Sequence, residues 1–333
     1  RAPPDVRVLP GQGVGRLEAS LVASRRGRHR LDPPVSRTIG PLGLARVDRV
    51  HGEAAELLVY PDLPAARRLA RAVQEGRFRE EGRRIRGPLG FGTDFESLRD
   101  YSPDDDIRQV NWPATARLER PMSNQHREDQ DRPVVCVVDC GRLMAAPVGD
   151  RTRLDAALDA VVAVAAVADA VGDRCGAVAY AEAVIRRLEP RHRGGRAVAA
   201  SLFDLEARPV DSDPDAAFHA VGAGKRSLVI VFTDLFDEAA ARSLLAAAPV
   251  LLRRHAVAVA SVADPGLAAL TAEPPATLSG AYAMAAAADL LAARERVAEQ
   301  LRRRGATVVE APPESLGAAS VAAYLRQKSR GRL

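Results

Sequence analysis

From Pro133 onward the sequence alternates short, continuously apolar runs with longer helical stretches, and this grammar constrains the fold more than any other feature. Val134–Val138 is an unbroken apolar run ending at Asp139. Cys175–Tyr180, Ser227–Phe232 and Ala256–Val262 repeat the pattern, and Thr307–Val309 is a shorter last run. Between them, helical patterns cover about Arg153–Val171, Arg196–Leu205, Glu238–Leu252, Tyr282–Arg304 and Glu314–Lys328. A strand that is apolar at nearly every position needs cover on both faces. Alternation of such strands with helices makes a mainly parallel sheet with helices on both sides. The spacing predicts an α/β domain over residues 133–333.

Upstream the signals differ. Arg16–Ser24, Arg28–Val35, Ala45–His51 and Ala54–Tyr60 read as short strands separated by turns such as Gly40-Pro41-Leu42-Gly43. Residues 1–62 are therefore expected to form a small β-rich, sandwich-like domain, truncated at its N-terminus because the first residues already resemble a domain interior. Residues 63–132 read as an Arg-rich helical connector followed by an irregular segment.

Composition excludes several function classes. The net charge of +5 invites a nucleic-acid partner, but only Lys225 and Lys328 are lysines and the arginines are interspersed with Asp and Glu. That is a compositional bias, not a phosphate-binding patch. Cys136, Cys140 and Cys175 lie in or beside apolar runs, with no CxxC pair, which argues against disulfides and zinc. The most apolar stretch, Leu154–Val171, is interrupted by Asp155, Asp159 and Asp169 and reads as a buried helix, not a membrane span.

Ligands of open α/β sheets bind beyond the carboxyl ends of the strands. Three strands here end in aspartate, at Asp139, Asp234 and Asp264. Clustered carboxylates at that edge can be relieved by a hard cation; each can equally cap the next helix or close a turn. The segment GPLGFGTDFESLRDYSPDDDIRQVNWPATAR, Gly87–Arg117, is the other candidate. Its glycines lack the spacing and the Gly-Lys-Ser/Thr ending of a phosphate loop. Consecutive aspartates do not share a face of any regular element, and no His-based catalytic arrangement accompanies them. Phe95, Leu98, Tyr101 and Trp112 can instead anchor the segment. Arg99, Arg108 and Arg117 can pair with Asp94, Asp105 and Asp106. The preferred reading is a clamp that also forms a partner surface; a peptide or ligand pocket is the alternative.

These residues carry a resemblance. Gly90, Gly92, Thr93, Asp94, Phe95, Leu98, Arg99, Tyr101, Asp105, Asp106, Arg108, Trp112, Ala116 and Arg117 stand at the positions of a signature close to G-x-G-T-E-F-x-x-L-R-x-Y-x-x-G-D-D-x-R-x-I-x-W-x-A-x-A-R. From about Val59 to the end the chain resembles the family called domain of unknown function 58. It departs from the pattern at Asp94, Asp104, Ile107 and Pro113. The resemblance implies that the α/β part is a von Willebrand factor A-like, Rossmann-type domain. It also implies a metal-ion-dependent adhesion site, with D-x-S-x-S after the first strand, a Thr from a second loop and an Asp after a central strand.

Here the first element reads Asp139-Cys140-Gly141-Arg142-Leu143, so both hydroxyl ligands are replaced, and the second loop, Asp211–Asp215, has no threonine. Asp234 fits the last element. The expectation is a degenerate site of Asp139, Asp234 and Asp213 with no cofactor, holding Mg²⁺ or Ca²⁺ only if second-loop carboxylates compensate. The resemblance further implies a non-enzymatic, protein-binding scaffold or adaptor, with its soluble part at the cytoplasmic face of the membrane and an N-terminal anchor outside this sequence. Its implied partner is a MoxR-type AAA+ ATPase in a chaperone-like assembly or activation system. The rival expectation is a metal-dependent hydrolase or phosphoryl-transfer enzyme using the strand-edge aspartates.

Overall fold

The computed structural model describes residues 22–23, 25–40, 42–80, 83–84, 98–100, 115–117, 120, 122–124, 133–221, 226–235 and 241–329. The chain divides into two units, Arg1–Val59 and Tyr60–Leu333.

In the first unit β1 (Gly27–Leu31) pairs antiparallel with β4 (Ala55–Val59), and β2 (Val35–Ile39) with β3 (Arg46–Val50). The ladders are nested: β2 and β3 form a hairpin, and β1 and β4 flank it in the chain. Gly43 closes the hairpin turn at a φ of 70°, which an L side chain tolerates poorly, and its N–H donates to the Gly40 carbonyl. Every residue of β2 and β3 is exposed. Among the described residues these strands make two two-stranded antiparallel ladders. The strand expected over Arg16–Ser24 lies almost wholly outside the described residues.

The second unit opens with α1 (Leu63–Gln74) and two short antiparallel pairs, β5 (Arg79–Glu80) with β6 (Arg83–Arg84) and β7 (Leu98–Asp100) with β8 (Met122–Asn124). There follow β9 (Val134–Asp139), the small pair β10 (Pro147–Val148) and β11 (Arg151–Thr152), α2 (Arg153–Ala170), β12 (Cys175–Tyr180) and β13 (Val184–Arg191). Next come α3 (Gly195–Leu202), α4 (Pro214–Val221), β14 (Leu228–Phe232), α5 (Arg242–Leu252) and β15 (Ala256–Val262). The chain ends with α6 (Pro265–Ala272), α7 (Leu278–Arg303), β16 (Thr307–Ala311) and α8 (Leu316–Ser329).

Six strands form one sheet in the order β13-β12-β9-β14-β15-β16. All neighbours are parallel except β13, which runs antiparallel to β12 at the edge. The sequence pattern did not reveal β13, because an edge strand with one wet face loses the continuous apolar run; its residues are all exposed or half-buried. The central strands are buried at every position. Val134, Cys136 and Val138 of β9 face one core with Leu228, Ile230 and Phe232 of β14, whereas Val135 and Val137 face a second core with Val229 and Val231.

Helix α2 shows how the first core is built. Thr152 caps it, with its side chain accepting from the Asp155 N–H and the Asp155 carboxylate accepting in return from the Thr152 N–H. Ala156, Ala157, Ala160, Ala163 and Ala165 are buried, and small side chains let the sheet, α1 and α8 all approach closely. Helix α1, which reads as a connector in the sequence, is part of this layer: its Ala66 and Val73, and Phe78 just beyond it, enter the same core. Its Arg-rich outer face conceals an apolar stripe that packs against α2.

At the amino-terminal edge of the sheet, Asp173 is buried and binds α8. Lys328 Nζ lies 2.5 Å from Asp173 Oδ1 and 2.6 Å from Oδ2, and the Tyr324 hydroxyl donates to Oδ2. Burial, with the Asp173 charge beside it, holds the Tyr324 phenol well above its ordinary pKa. Removing the ammonium while leaving a buried carboxylate is costly. Lys328→Met should lower unfolding stability by about 3–5 kcal/mol, and Tyr324→Phe by about 1–3 kcal/mol. Urea denaturation followed by circular dichroism measures both, and a Lys328→Met loss below that of Tyr324→Phe would contradict the Asp173–Lys328 pairing.

Candidate functional site at the carboxyl edge of the sheet

Strand β9 delivers Asp139 to the carboxyl edge, where it is 6% exposed. Its Oδ1 accepts from the Gly141 N–H at 2.8 Å and from the Ser212 hydroxyl, and its Oδ2 accepts from the Thr233 hydroxyl at 2.6 Å. Backbone bonds hold the loop that carries Ser212: Arg142 N–H donates to the Val210 carbonyl at 2.9 Å, Arg208 N–H to that of Cys140 at 2.7 Å, and Asp213 N–H to that of Ala181 at 2.8 Å. This loop dictates glycine at 141. A Cβ there would lie 2.0 Å from Ser212 Oγ, so the hydroxyl occupies the space of the missing side chain.

Burial raises the Asp139 carboxyl above the ordinary range. The Ser212, Thr233 and Gly141 hydrogen bonds pull the other way, and the Asp234 charge adds to the rise. Tyr180, at the end of β12, is raised well above its usual value by its own burial and by the Asp139 charge.

Asp234 has a different set of partners. Its side chain is 2% exposed, with Arg153 Nη1 at 2.5 Å and Arg294 Nη1 at 3.2 Å from Oδ1. Neither contact has hydrogen-bond alignment, so charge holds them. Arg294 Nη2 also donates to Ser261 Oγ at 3.1 Å and to the Val262 carbonyl at 2.8 Å. Asp264 and Glu310 lie farther out, at 4.0 Å from Arg153 and 3.6 Å from Arg294. Two guanidiniums on α2 and α7 thus converge on one carboxylate.

The geometry allows a test of the implied divalent cation. Asp234 already has two cations against it, and one more would meet their repulsion. Leu143 offers no ligand, and Asp139 has its oxygens engaged by donors. Asp213 is exposed and accepts from the Asp215 N–H at 3.0 Å, closing the turn into α4. Among the described residues no three His, Cys, Asp or Glu side chains are grouped to hold a metal. The residues in place do not fit a hard-cation cage.

Asp139 and Asp234 are therefore neighbours at one edge, each with separate partners, and Asp213 serves its own turn. Asp264 caps α6 through the Gly266 N–H at 2.9 Å. Of the signature residues, Leu98 and Arg99 fall in β7, opposite Asn124 and Ser123, while Ala116 and Arg117 are exposed in a short helical stretch. Gly90, Gly92, Thr93, Asp94, Phe95, Tyr101, Asp105, Asp106, Arg108 and Trp112 lie outside the described residues. Sequence reasoning overlooked Ser212, Arg153 and Arg294. Arg153 left a signal: a cation at the first position of a helix opposes the helix dipole and calls for a nearby anion. Arg294, one arginine among many in α7, left none.

Fold and site together define an α/β protein with a mostly parallel six-stranded sheet whose carboxyl edge buries two separately partnered aspartates. Residues 97–286, more than half of the chain, match the family described as "Protein of unknown function DUF58", and the chain belongs to that family. No curated protein matches its sequence. Among solved structures it is similar to the PilB minor pilin from Streptococcus sanguinis, at 10% identity and a TM-score of 0.42, covering 63% of this chain and 64% of the pilin. It is also similar to the conserved hypothetical protein BatB from Bacteroides thetaiotaomicron, at 15% identity and a TM-score of 0.39, covering 59% of this chain and 99% of BatB. The chain thus spans less than two thirds of the pilin, and neither likeness is near enough to transfer a role.

The raised Asp139 carboxyl predicts a pH signature. A raised folded pKa contributes stability that is complete below the ordinary carboxylate value of about 3.9 and is lost as pH rises through the folded value. Asp139→Asn lacks this titration. Its stability relative to the unsubstituted protein should therefore increase from acid toward neutral pH. Urea denaturation series at about pH 4 and about pH 7 measure the gap; a gap that stays flat or shrinks would contradict the assignment.

Proposed function

We propose that the protein is a non-enzymatic scaffold or adaptor whose second unit is a von Willebrand factor A-like domain with a degenerate metal-ion-dependent adhesion site. The observation that carries this reading is the engagement of both edge aspartates. The protein's own hydroxyls, amide and guanidiniums occupy the carboxylates that a hydrolytic or phosphoryl-transfer enzyme would use for a cation or a base. Rigid, internally satisfied edges suit recognition, where loops at the carboxyl ends of the strands present a fixed surface. The partner in this reading is a MoxR-type AAA+ ATPase, together with the client proteins that such an ATPase assembles or activates. The adaptor acts at the cytoplasmic face of the membrane. Among the described residues no helix is long and apolar enough to cross a bilayer.

Two measurements test the reading. Magnesium or calcium at about 1 mM should move the thermal midpoint by less than about 1 °C, whereas a site of micromolar Kd would add about 4 kcal/mol at that concentration. A large shift abolished by Asp139→Ala would refute the metal-free edge. In affinity capture from native membranes with the full-length protein, an AAA+ ATPase should co-purify. Arg99→Ala, and Gly141→Leu, which displaces Ser212, should reduce its recovery. Capture without any ATPase would overturn the partner assignment.

A further inference from the structure

A groove of about 910 Å³ opens on the α1, α2 and α8 side of the second unit, at the same end as the carboxyl edge. Leu69 and Ala72 of α1, Ala163 of α2 and Ala318 of α8 supply an apolar floor. Its rim is acidic, with Asp62, Asp150, Asp159, Asp264 and Glu314 against Arg68 and Arg151 only. A chain with a net charge of +5 thus concentrates negative charge at one place. Arg151 is committed to the rim itself, 2.5 Å from Asp159 and 3.8 Å from Asp150. Asp62 and Asp264 cap α1 and α6 through backbone N–H groups, and Asp264 lies 4.0 Å from the buried Arg153 guanidinium.

We infer that this groove binds an amphipathic, basic segment of a partner protein, with aliphatic side chains on the floor and Lys or Arg side chains along the rim. The volume lies at the upper end of the range for ligand pockets, about 300–1,000 Å³. A small polycation would satisfy the rim but leave the floor wet, and an anionic ligand would meet the carboxylates. An amphipathic basic segment uses both surfaces, by aliphatic burial and charge complementarity. Further apolar side chains are exposed on the helices that follow Asp264. Helix α6, whose first residues line the groove, buries none of its residues, and Leu270, Leu278 and Tyr282 are 48%, 75% and 71% exposed. A macromolecular partner can cover exposed apolar side chains outside the groove as well, whereas a small molecule cannot.

The inference rests on the scaffold reading and names one of its surfaces. The test uses a short fluorescein-labelled peptide with Leu and Lys at helical spacing, and its Leu/Glu counterpart, titrated with the full chain by fluorescence anisotropy. The Lys peptide should bind at least about tenfold more tightly than the Glu peptide. Reversing two exposed rim charges, Asp150→Lys with Glu314→Lys, should invert that preference. Reversing Glu206 and Glu295, which lie outside the groove, should leave it. Ala318→Trp, which fills the floor, should abolish binding of the Lys peptide by a chain whose far-ultraviolet circular dichroism is unchanged. Equal binding of the two peptides, or equal effects of the two charge reversals, would overturn the groove assignment. Retention of ATPase capture by the rim variant, with no peptide binding by the parent chain, would remove the groove and leave the scaffold. Charge-dependent peptide binding without ATPase capture would do the reverse.

Discussion

The carboxylate of Asp234, buried between the guanidiniums of Arg153 and Arg294, is the interaction on which the carboxyl edge depends. Charges taken out of water are costly unless paired, and the pairing here comes from both helical layers. Arg153 begins α2 and Arg294 lies within α7, so the ion cluster joins the first core, the sheet edge and the second core at one point. Ser261 and the Val262 carbonyl extend it to β15. This arrangement ties the carboxyl ends of β14 and β15 to α2 and α7.

Asp139 solves the same problem with neutral donors. Its hydroxyl and amide partners satisfy the oxygens but bring no counter-charge, so burial still pushes the carboxyl upward. The two aspartates lie close enough to interact, yet one is neutralised by cations and the other only by dipoles. Among the described residues the edge thus holds each carboxylate against donors of its own. Gly141 is the residue that makes this possible, because any side chain there would collide with Ser212.

Layering on the α2 side explains both the aromatic-poor composition and the groove. Alanines bring α1, α2, α8 and the sheet close together, and small side chains leave room where three helices begin near one another. Helix N-termini attract carboxylates as caps, and Asp62 and Asp264 serve that role at the rim. The same capping chemistry that starts these helices therefore supplies two of the groove's five carboxylates.

Much of the parallel sheet was legible in the sequence, because doubly buried strands leave continuous apolar runs and helices leave a different period. Strand β9, strand β14 and helix α2 fall where those patterns place them. Edge strand β13 and the short helices α4 and α6 were not legible, since half-wet or brief elements carry no continuous signal. Asp139 and Asp234 could be picked out as strand-end carboxylates, but not the identity of their partners. Ser212 lies 73 residues from Asp139, and Arg294 reaches Asp234 from another layer. By itself the sequence determined the periodicities, the caps and the positions of the charges to be buried. Which donor meets which carboxylate was decided only by tertiary structure, because distance in the chain says nothing about the loop closures and helix crossings that bring side chains together.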